Sequence, residues 1–239
     1  MSGKSTIKKK CVLIGAGERP VTKIKKEAQN LLIAVDGGYD VCRMWNLEPD
    51  LIVGDLDSIE PENRAFLEKE QGERIVKLPC EKDDTDTLAA LRIGLSRGYR
   101  DFVLYGCMGG RSDHMFANIQ CLLFLKNQGA DGRLLTEKEE IFLLQNESRS
   151  LGKRAEGFFS IFALQNRVMG VTIRGAKYPL TDALLENDFP IGTSNEFIGE
   201  EAVLTVKDGA LLVVIQRKGE RNHGKETSSI DDFGRLRSE

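Results

Sequence analysis

With 239 residues, 41% of them hydrophobic, the chain has enough apolar material for one large domain or two smaller ones, which excludes general disorder. Lys and Arg number 34 against 37 Asp and Glu, and this net charge of −3 gives no reason to expect nucleic acid or an anionic membrane as partner. Five cysteines, odd in number and without a CxxC pair, argue against a disulfide framework or zinc site and for a reducing, cytoplasmic setting, and no apolar stretch is long enough for a membrane span.

From residue 11 to about 135, short apolar runs alternate with longer amphipathic ones. Residues 12–15, 32–35, 51–53, 75–78 and 102–105 read as strands, and 21–30, 39–46, 62–71, 87–97 and 112–127 as helices. The last helix carries Met115, Phe116, Ile119, Leu122, Leu123 and Leu125 on or near one stripe, behind Ser112 as its N-cap. Strand and helix in strict turn predict a Rossmann-like, largely parallel α/β sheet covered on both faces. Past residue 133 the runs 141–144, 158–164, 171–174, 203–206 and 211–216 lie close together with no long helix between them, which predicts an all-β half built as a sandwich. Lys207-Asp208-Gly209 predicts a hairpin joining the final two runs. The expected organisation is an α/β domain over 1–145, a β-sandwich over 146–217 and a polar tail over 218–239, with the aperiodic polar stretch 145–157 as the boundary.

Chemistry concentrates in three acidic clusters and one glycine turn. Gly54-Asp55-Leu56-Asp57-Ser58 follows a buried strand; if the backbone stays extended, Asp55 and Asp57 face the same way and can share one hard cation. The same residues also read as an acidic loop in which Asp57 or Ser58 caps the next helix. Lys82-Asp83-Asp84-Thr85-Asp86 stands just before a helix, where capping and dipole chemistry ordinarily place such residues. One cap needs one side chain, however, and three aspartates in four residues repel one another unless a cation is near. Gly109-Gly110-Arg111-Ser112-Asp113 is a glycine turn opening a helix, a place where backbone N–H groups approach phosphate oxygens and Arg111 can fork onto them. In an α/β fold all three clusters can meet along one edge of the sheet.

A fourth turn, Asp36-Gly37-Gly38, also lies between strand and helix, and Gly-Gly is weak by itself. There is no GxxxxGK[ST] loop and no complete GxGxxG: Gly15-Ala16-Gly17 comes nearest, with Pro20 where the third glycine would stand. With only His114 and His223 present, oxygen ligands dominate and Mg²⁺ is the expected ion. In the β half, the segments Gly175-Ala176-Lys177-Tyr178-Pro179-Leu180 and Gly192-Thr193-Ser194-Asn195-Glu196-Phe197 read either as ordinary connections or as loops suited to a flat heteroaromatic ring.

Taken in order, Asp36-Gly37-Gly38, Pro49 to Ser58, Lys82 to Asp86, Gly109 to His114, Lys177 to Leu180 and Ser194 to Phe197 resemble the thiamine pyrophosphokinase family. The resemblance implies transfer of a diphosphate from ATP to thiamine with release of AMP. It also implies an α/β nucleotide-binding catalytic domain, a thiamine-binding β-sandwich, and a homodimer with sites between subunits. Under it, Asp55, Asp57, Asp86 and Asp113 are the acids that handle metal and diphosphate, with Asp55, Asp57 and Asp86 on Mg²⁺ and Asp55 also near the substrate. Asp36, Gly37, Gly38, Lys82, Asp83, Thr85, Gly109, Gly110 and Arg111 fall on the nucleotide side. Tyr178 matches an aromatic that stacks on the thiamine pyrimidine, and Ser194 and Asn195 match the loop that meets the substrate. Two other classes stay open on the residues alone: an aspartyl-phosphate phosphatase using the Asp55-Leu56-Asp57 motif, and a non-catalytic nucleotide or thiamine sensor.

Overall fold

The computed structural model describes residues 9–18, 24–69, 73–79 and 84–217. The expectations placed on Lys82, Asp83 and the tail after residue 217 lie outside these. The chain divides into two compact units, Met1–Thr136 and Glu137–Glu239.

In the first unit the order of elements is β1 (Lys10–Ile14), β2 (Leu31–Val35), α1 (Gly38–Met44), β3 (Leu51–Gly54), α2 (Pro61–Lys69), β4 (Ile75–Lys77), α3 (Asp86–Ser96), β5 (Asp101–Tyr105), α4 (Ser112–Asn127) and β6 (Asp131–Leu135). The six strands pair in parallel in the order β6-β5-β1-β2-β3-β4. Successive residues of a strand point to opposite faces, and every residue of β1, β2 and β3 is buried, so both faces of this sheet are covered. Strands of this kind read as unbroken apolar runs, as Leu31-Leu32-Ile33-Ala34-Val35 does. The chain leaves β1 toward β2 on one side, and β5 later takes the other side. The C-terminal ends of β1 and β5 therefore flank a topological switch point, the place where open α/β sheets form a crevice.

The second unit comprises β7 (Glu139–Gln145), β8 (Ser148–Lys153), β9 (Phe158–Ala163), β10 (Arg167–Arg174), β11 (Leu180–Glu186), β12 (Asn195–Glu196), β13 (Glu201–Thr205) and β14 (Ala210–Gln216). Within it, antiparallel pairing runs β12-β9-β14-β7 in one layer and β11-β10-β13-β8 in the other. Phe142, Phe159, Ile161, Val171, Leu204 and Val213 from both layers share one core, and fully burying each such side chain stabilises by about 1.5–3 kcal/mol. The α/β plus β-sandwich architecture expected from the sequence is thus the one observed.

Several local expectations differ. No helix forms over residues 24–30. Lys26 donates to Glu48 O and Asp50 instead, and the Glu27 carboxylate accepts from Gln29 and Asn30, local bonds that compete with helical ones. The division between units falls before β7 rather than at 145/146, because β7 pairs with β14 along its whole length. Part of the polar stretch expected to be a boundary is β8, which inserts Leu151 into the core and pairs with β13. The predicted hairpin at Lys207-Asp208-Gly209 is absent: β13 pairs with β10 and β8, β14 with β7 and β9, so the turn carries the chain from one layer to the other. Ser112 is the first residue of α4, whose N-cap position is Arg111.

Candidate active site

The acids gather at the C-terminal edge of the parallel sheet. Asp36 follows β2 with φ +46°, its N–H donating to Val53 O, and its side chain is held at the end of β3, where Leu56 donates its N–H to Asp36 Oδ1 at 3.3 Å. Gly54 permits this contact: its φ is +152°, and a Cβ there would stand 1.7 Å from Asp36 Oδ1. Leu56 takes φ +68°, so the backbone between Asp55 and Asp57 is not extended as the sequence reading supposed. The two carboxylates meet by a different route, a tight turn in which Asp57 donates its N–H to Asp55 Oδ1 at 3.1 Å. Asp86, the first residue of α3, hydrogen-bonds with Asp36.

These acids are in electrostatic conflict. Burial, followed by the hydrogen bond and like charge of Asp86, pushes the Asp36 carboxyl up to about 7. The hydrogen bond and like charge of Asp55 raise Asp57 as well. The four carboxylates meet as two pairs, Asp36 with Asp86 and Asp55 with Asp57. Among the described residues no three acidic, Cys or His side chains already converge on one coordination point. An all-oxygen donor set under mutual repulsion fits a hard divalent cation, which would relieve both pairs.

Around this cluster the remaining groups have ordinary partners. Thr85 is the N-cap of α3, its hydroxyl accepting from Leu88 N–H at 3.2 Å, and Asp84 pairs with Arg92. Gly37 donates its N–H to Ser58 Oγ at 3.0 Å, which ties the Asp36-Gly37-Gly38 turn to the Asp55–Asp57 turn. Asp40 accepts from Glu60 N–H and from the Asn63 side chain, fixing the start of α2.

At the switch point two glycine loops run together. Gly15 donates its N–H to Tyr105 O at 2.8 Å, Gly17 to Gly106 O at 2.7 Å, and Glu18 to Met108 O. Gly109 and Gly110 follow with φ of +78° and +73°, leading to Arg111 and the first turn of α4. Arg111 is exposed and forked onto Asp113, with Nε to Oδ1 at 3.2 Å and Nη2 to Oδ2 at 2.6 Å. That pair holds the Asp113 carboxyl below its ordinary range. Asp113 is thus engaged with Arg111 and not with the four clustered acids.

In the β unit, Tyr178 is 55% exposed, with the Lys177 ammonium 5.4 Å from its ring centroid. Lys177 also pairs with Glu196 at 2.6 Å. Ser194 has φ +59° and donates its N–H to Ser160 Oγ at 3.0 Å. Asn195 is buried beside the Tyr178 backbone, while Phe197 belongs to the core, its ring 5.0 Å from that of Phe159.

The structure therefore gathers Asp36, Gly37, Asp55, Asp57 and Asp86 in one unit and Tyr178, Ser194 and Asn195 in the other. The sequence reads Ser58 as part of an acidic loop or as a helix cap and Gly15-Ala16-Gly17 as an incomplete GxGxxG; the structure adds that Ser58 accepts the Gly37 N–H and that the Gly15–Gly17 loop is bonded to Tyr105 and Gly106. Asp55 follows the third strand, whereas the phosphatase motif belongs after the first.

A carboxylate-lined α/β unit followed by a β-sandwich that displays an aromatic ring is the build of a two-domain phosphate-handling enzyme. The family model for the thiamin pyrophosphokinase catalytic domain matches residues 22–131, and that for the thiamin pyrophosphokinase vitamin B1 binding domain matches residues 149–211. The thiamine pyrophosphokinase of Bacillus subtilis is 26% identical over 189 residues, 79% of this chain and 88% of the relative. Thiamine pyrophosphokinase 2 of Oryza sativa subsp. japonica is 31% identical over 186 residues, 70% of this chain and 65% of the relative. Among solved structures, thiamine pyrophosphokinase from Bacillus subtilis superimposes with a TM-score of 0.77 at 25% identity, covering 87% of this chain and 99% of that one. A thiamin pyrophosphokinase family protein from Enterococcus faecalis gives 0.72 at 28% identity, covering 88% and 99%. The chain belongs to the thiamine pyrophosphokinase family.

Proposed function

We infer that this chain is an ATP:thiamine diphosphotransferase. The hydroxyethyl oxygen of thiamine attacks the β-phosphorus of ATP, the bond from that phosphorus to the α,β-bridging oxygen breaks, and AMP leaves as thiamine diphosphate forms. The observation that carries this reading is the placing of two carboxylate pairs, Asp36 with Asp86 and Asp55 with Asp57, at the sheet edge of a chain whose two halves match the catalytic and vitamin B1 binding domains of the family.

Mg²⁺ belongs to the proposal, with Asp55, Asp57 and Asp86 as its ligands. Bound there, it would supply positive charge for the ATP phosphates and the departing AMP. The chain's own contributions are positional and electrostatic. Asp36 braces Asp86, one carboxylate of the cluster takes the hydroxyl proton, and Asp113 holds the Arg111 fork beside the glycine turn. The Gly109 and Gly110 amides, the start of α4 and Arg111 receive phosphate oxygens. Asp36, Gly37, Gly38 and Thr85, together with Lys82 and Asp83, make up the nucleotide side. Tyr178 stacks on the pyrimidine, and the segment that carries Ser194 and Asn195 meets the same substrate through Ser194.

The proposed active form is a homodimer with sites between subunits, in the cytoplasm. Among the described residues the thiols of Cys11, Cys42, Cys107 and Cys121 are buried and in no disulfide, which fits a reducing compartment. No helix among the described residues is long and apolar enough to cross a membrane. The test is AMP release from ATP with and without thiamine. Saturable, thiamine-dependent AMP is expected. ATP hydrolysis indifferent to thiamine, or a trapped phospho-aspartate, would overturn the reading.

A further inference from the structure

Asn195 is one of the few buried polar side chains among the described residues, 5% exposed, and its amide is almost fully used. Its Oδ1 accepts the N–H of Tyr178 at 3.0 Å and of Glu196 at 2.8 Å. Its Nδ2 donates to Tyr178 O at 2.8 Å. A carboxamide that offers one acceptor and one donor side by side to the N–H and C=O of a single residue does what a neighbouring strand does, and so fixes the orientation of that peptide. With both lone-pair positions of Oδ1 taken, the Asn195 side chain has no acceptor left for a ligand.

The surrounding bonds all serve the same segment. Lys177 donates its N–H to Glu196 O at 3.0 Å and its ammonium to Glu196 Oε1 at 2.6 Å, and Ala176 bridges Phe197. On its other side β12 pairs with β9, Asn195 opposite Phe159. Pro179 follows Tyr178 and restricts its backbone further. The result is a braced turn that exposes the Tyr178 side chain between Lys177 and Pro179, which are also exposed.

We propose that Asn195 is a positioning residue: it sets the Tyr178 ring for the aromatic ring of the substrate and does not itself touch that substrate. This rests on the reading of Tyr178 given under Proposed function. Aspartate could still accept the two N–H groups but could not donate to Tyr178 O, and alanine would leave both Tyr178 backbone groups unpaired.

A double-mutant cycle on the full chain tests this, with thiamine KM, ATP KM and kcat measured for Asn195→Ala, Asn195→Asp, Tyr178→Ala and the two combinations. Asn195→Ala and Tyr178→Ala should each raise thiamine KM by about tenfold with ATP KM nearly unchanged, and Asn195→Asp by a smaller factor. In the Tyr178→Ala background either Asn195 change should add less than about twofold. Multiplying single effects would show that Asn195 reaches the substrate independently and would overturn the proposal. Should Asn195→Ala fail to fold, Asn195→Asp carries the cycle. Where Asn195→Ala folds, its Tyr178 amide hydrogen, left without an acceptor, should exchange faster than in the native chain, and unchanged exchange would also count against the brace. Loss of the reading itself has a different signature: no thiamine-dependent AMP from the native chain, or a Tyr178→Ala chain with native thiamine KM.

Discussion

In the α/β unit the carboxylates of Asp36 and Asp86, and those of Asp55 and Asp57, are held against one another, and both Asp36 and Asp57 are shifted toward the protonated form. In the β-sandwich unit the corresponding polar groups have satisfied one another: Asn195 is spent on Tyr178 and Glu196, and Lys177 is paired with Glu196. One region stores repulsion that a cation can relieve, and the other is finished before any ligand arrives. Substitutions in the first should trade activity against stability, while those in the second should affect recognition with little change in chemistry.

The largest expected effect follows from removing the first region's charge. Asp55→Ala and Asp57→Ala should each lower turnover on the order of 10³-fold, the scale of losing a group that stabilises transition-state charge. Asp57→Ala should not lower the melting temperature, because it removes a like-charge contact, whereas Asp55→Ala also loses the acceptor of the Asp57 N–H, which offsets that gain. Near-native turnover at saturating Mg²⁺ would remove these acids from the site. Gly54→Ala comes next: a Cβ 1.7 Å from Asp36 Oδ1, on a backbone at φ +152°, must displace the Asp36 carboxyl. Denaturant unfolding should show a loss of roughly 1–3 kcal/mol, with reduced turnover beside it. Native stability would mean that Asp36 does not need its place on Gly54.

Tyr178→Ala sharpens the other side of the comparison. The residue is exposed, so stability should change by no more than about 0.5 kcal/mol, whereas thiamine KM should rise about tenfold. A fall in kcat with unchanged KM would place the ring in the chemistry instead of in recognition.

The smallest effect is a pH dependence in metal-free protein. The folded pKa of Asp36 is raised from 3.8 to about 7, so between those values the folded state binds more protons than the unfolded one. Stability from this group is therefore full below 3.8, falls as pH rises, and levels off above about 7. Melting curves across that range, with and without Mg²⁺, check it. The increment due to Mg²⁺ should be larger above the window than below it, and equal increments would contradict the conflict assigned to these carboxylates.

Much of this was legible because parallel strands announce themselves: a buried strand is an apolar run, and the residues directly after it lie at the sheet edge. That logic placed Asp36, Gly54, Asp55 and the Gly109-Gly110 turn. It could not foresee φ +68° at Leu56, since a leucine carries no sign that it will enter the left-handed region, and the Asp55–Asp57 contact depends on that turn. The Gly209 turn was legible as a turn, but whether it joins two paired strands or crosses between layers depends on partners distant in sequence. Residues 24–30 have helical spacing yet are held by Glu48 and Asp50, again a tertiary decision. Asn195 was readable as part of a substrate loop, and only the structure shows its amide committed to Tyr178.

The most direct test follows the label in ATP carrying radiolabelled phosphorus at the β position, incubated with the native chain, Mg²⁺ and thiamine. The account predicts β-label in thiamine diphosphate, one AMP formed for each, and no labelled ADP. Label remaining in ADP, with thiamine monophosphate or inorganic phosphate as the other product, would contradict attack at the β-phosphorus and with it the central claim.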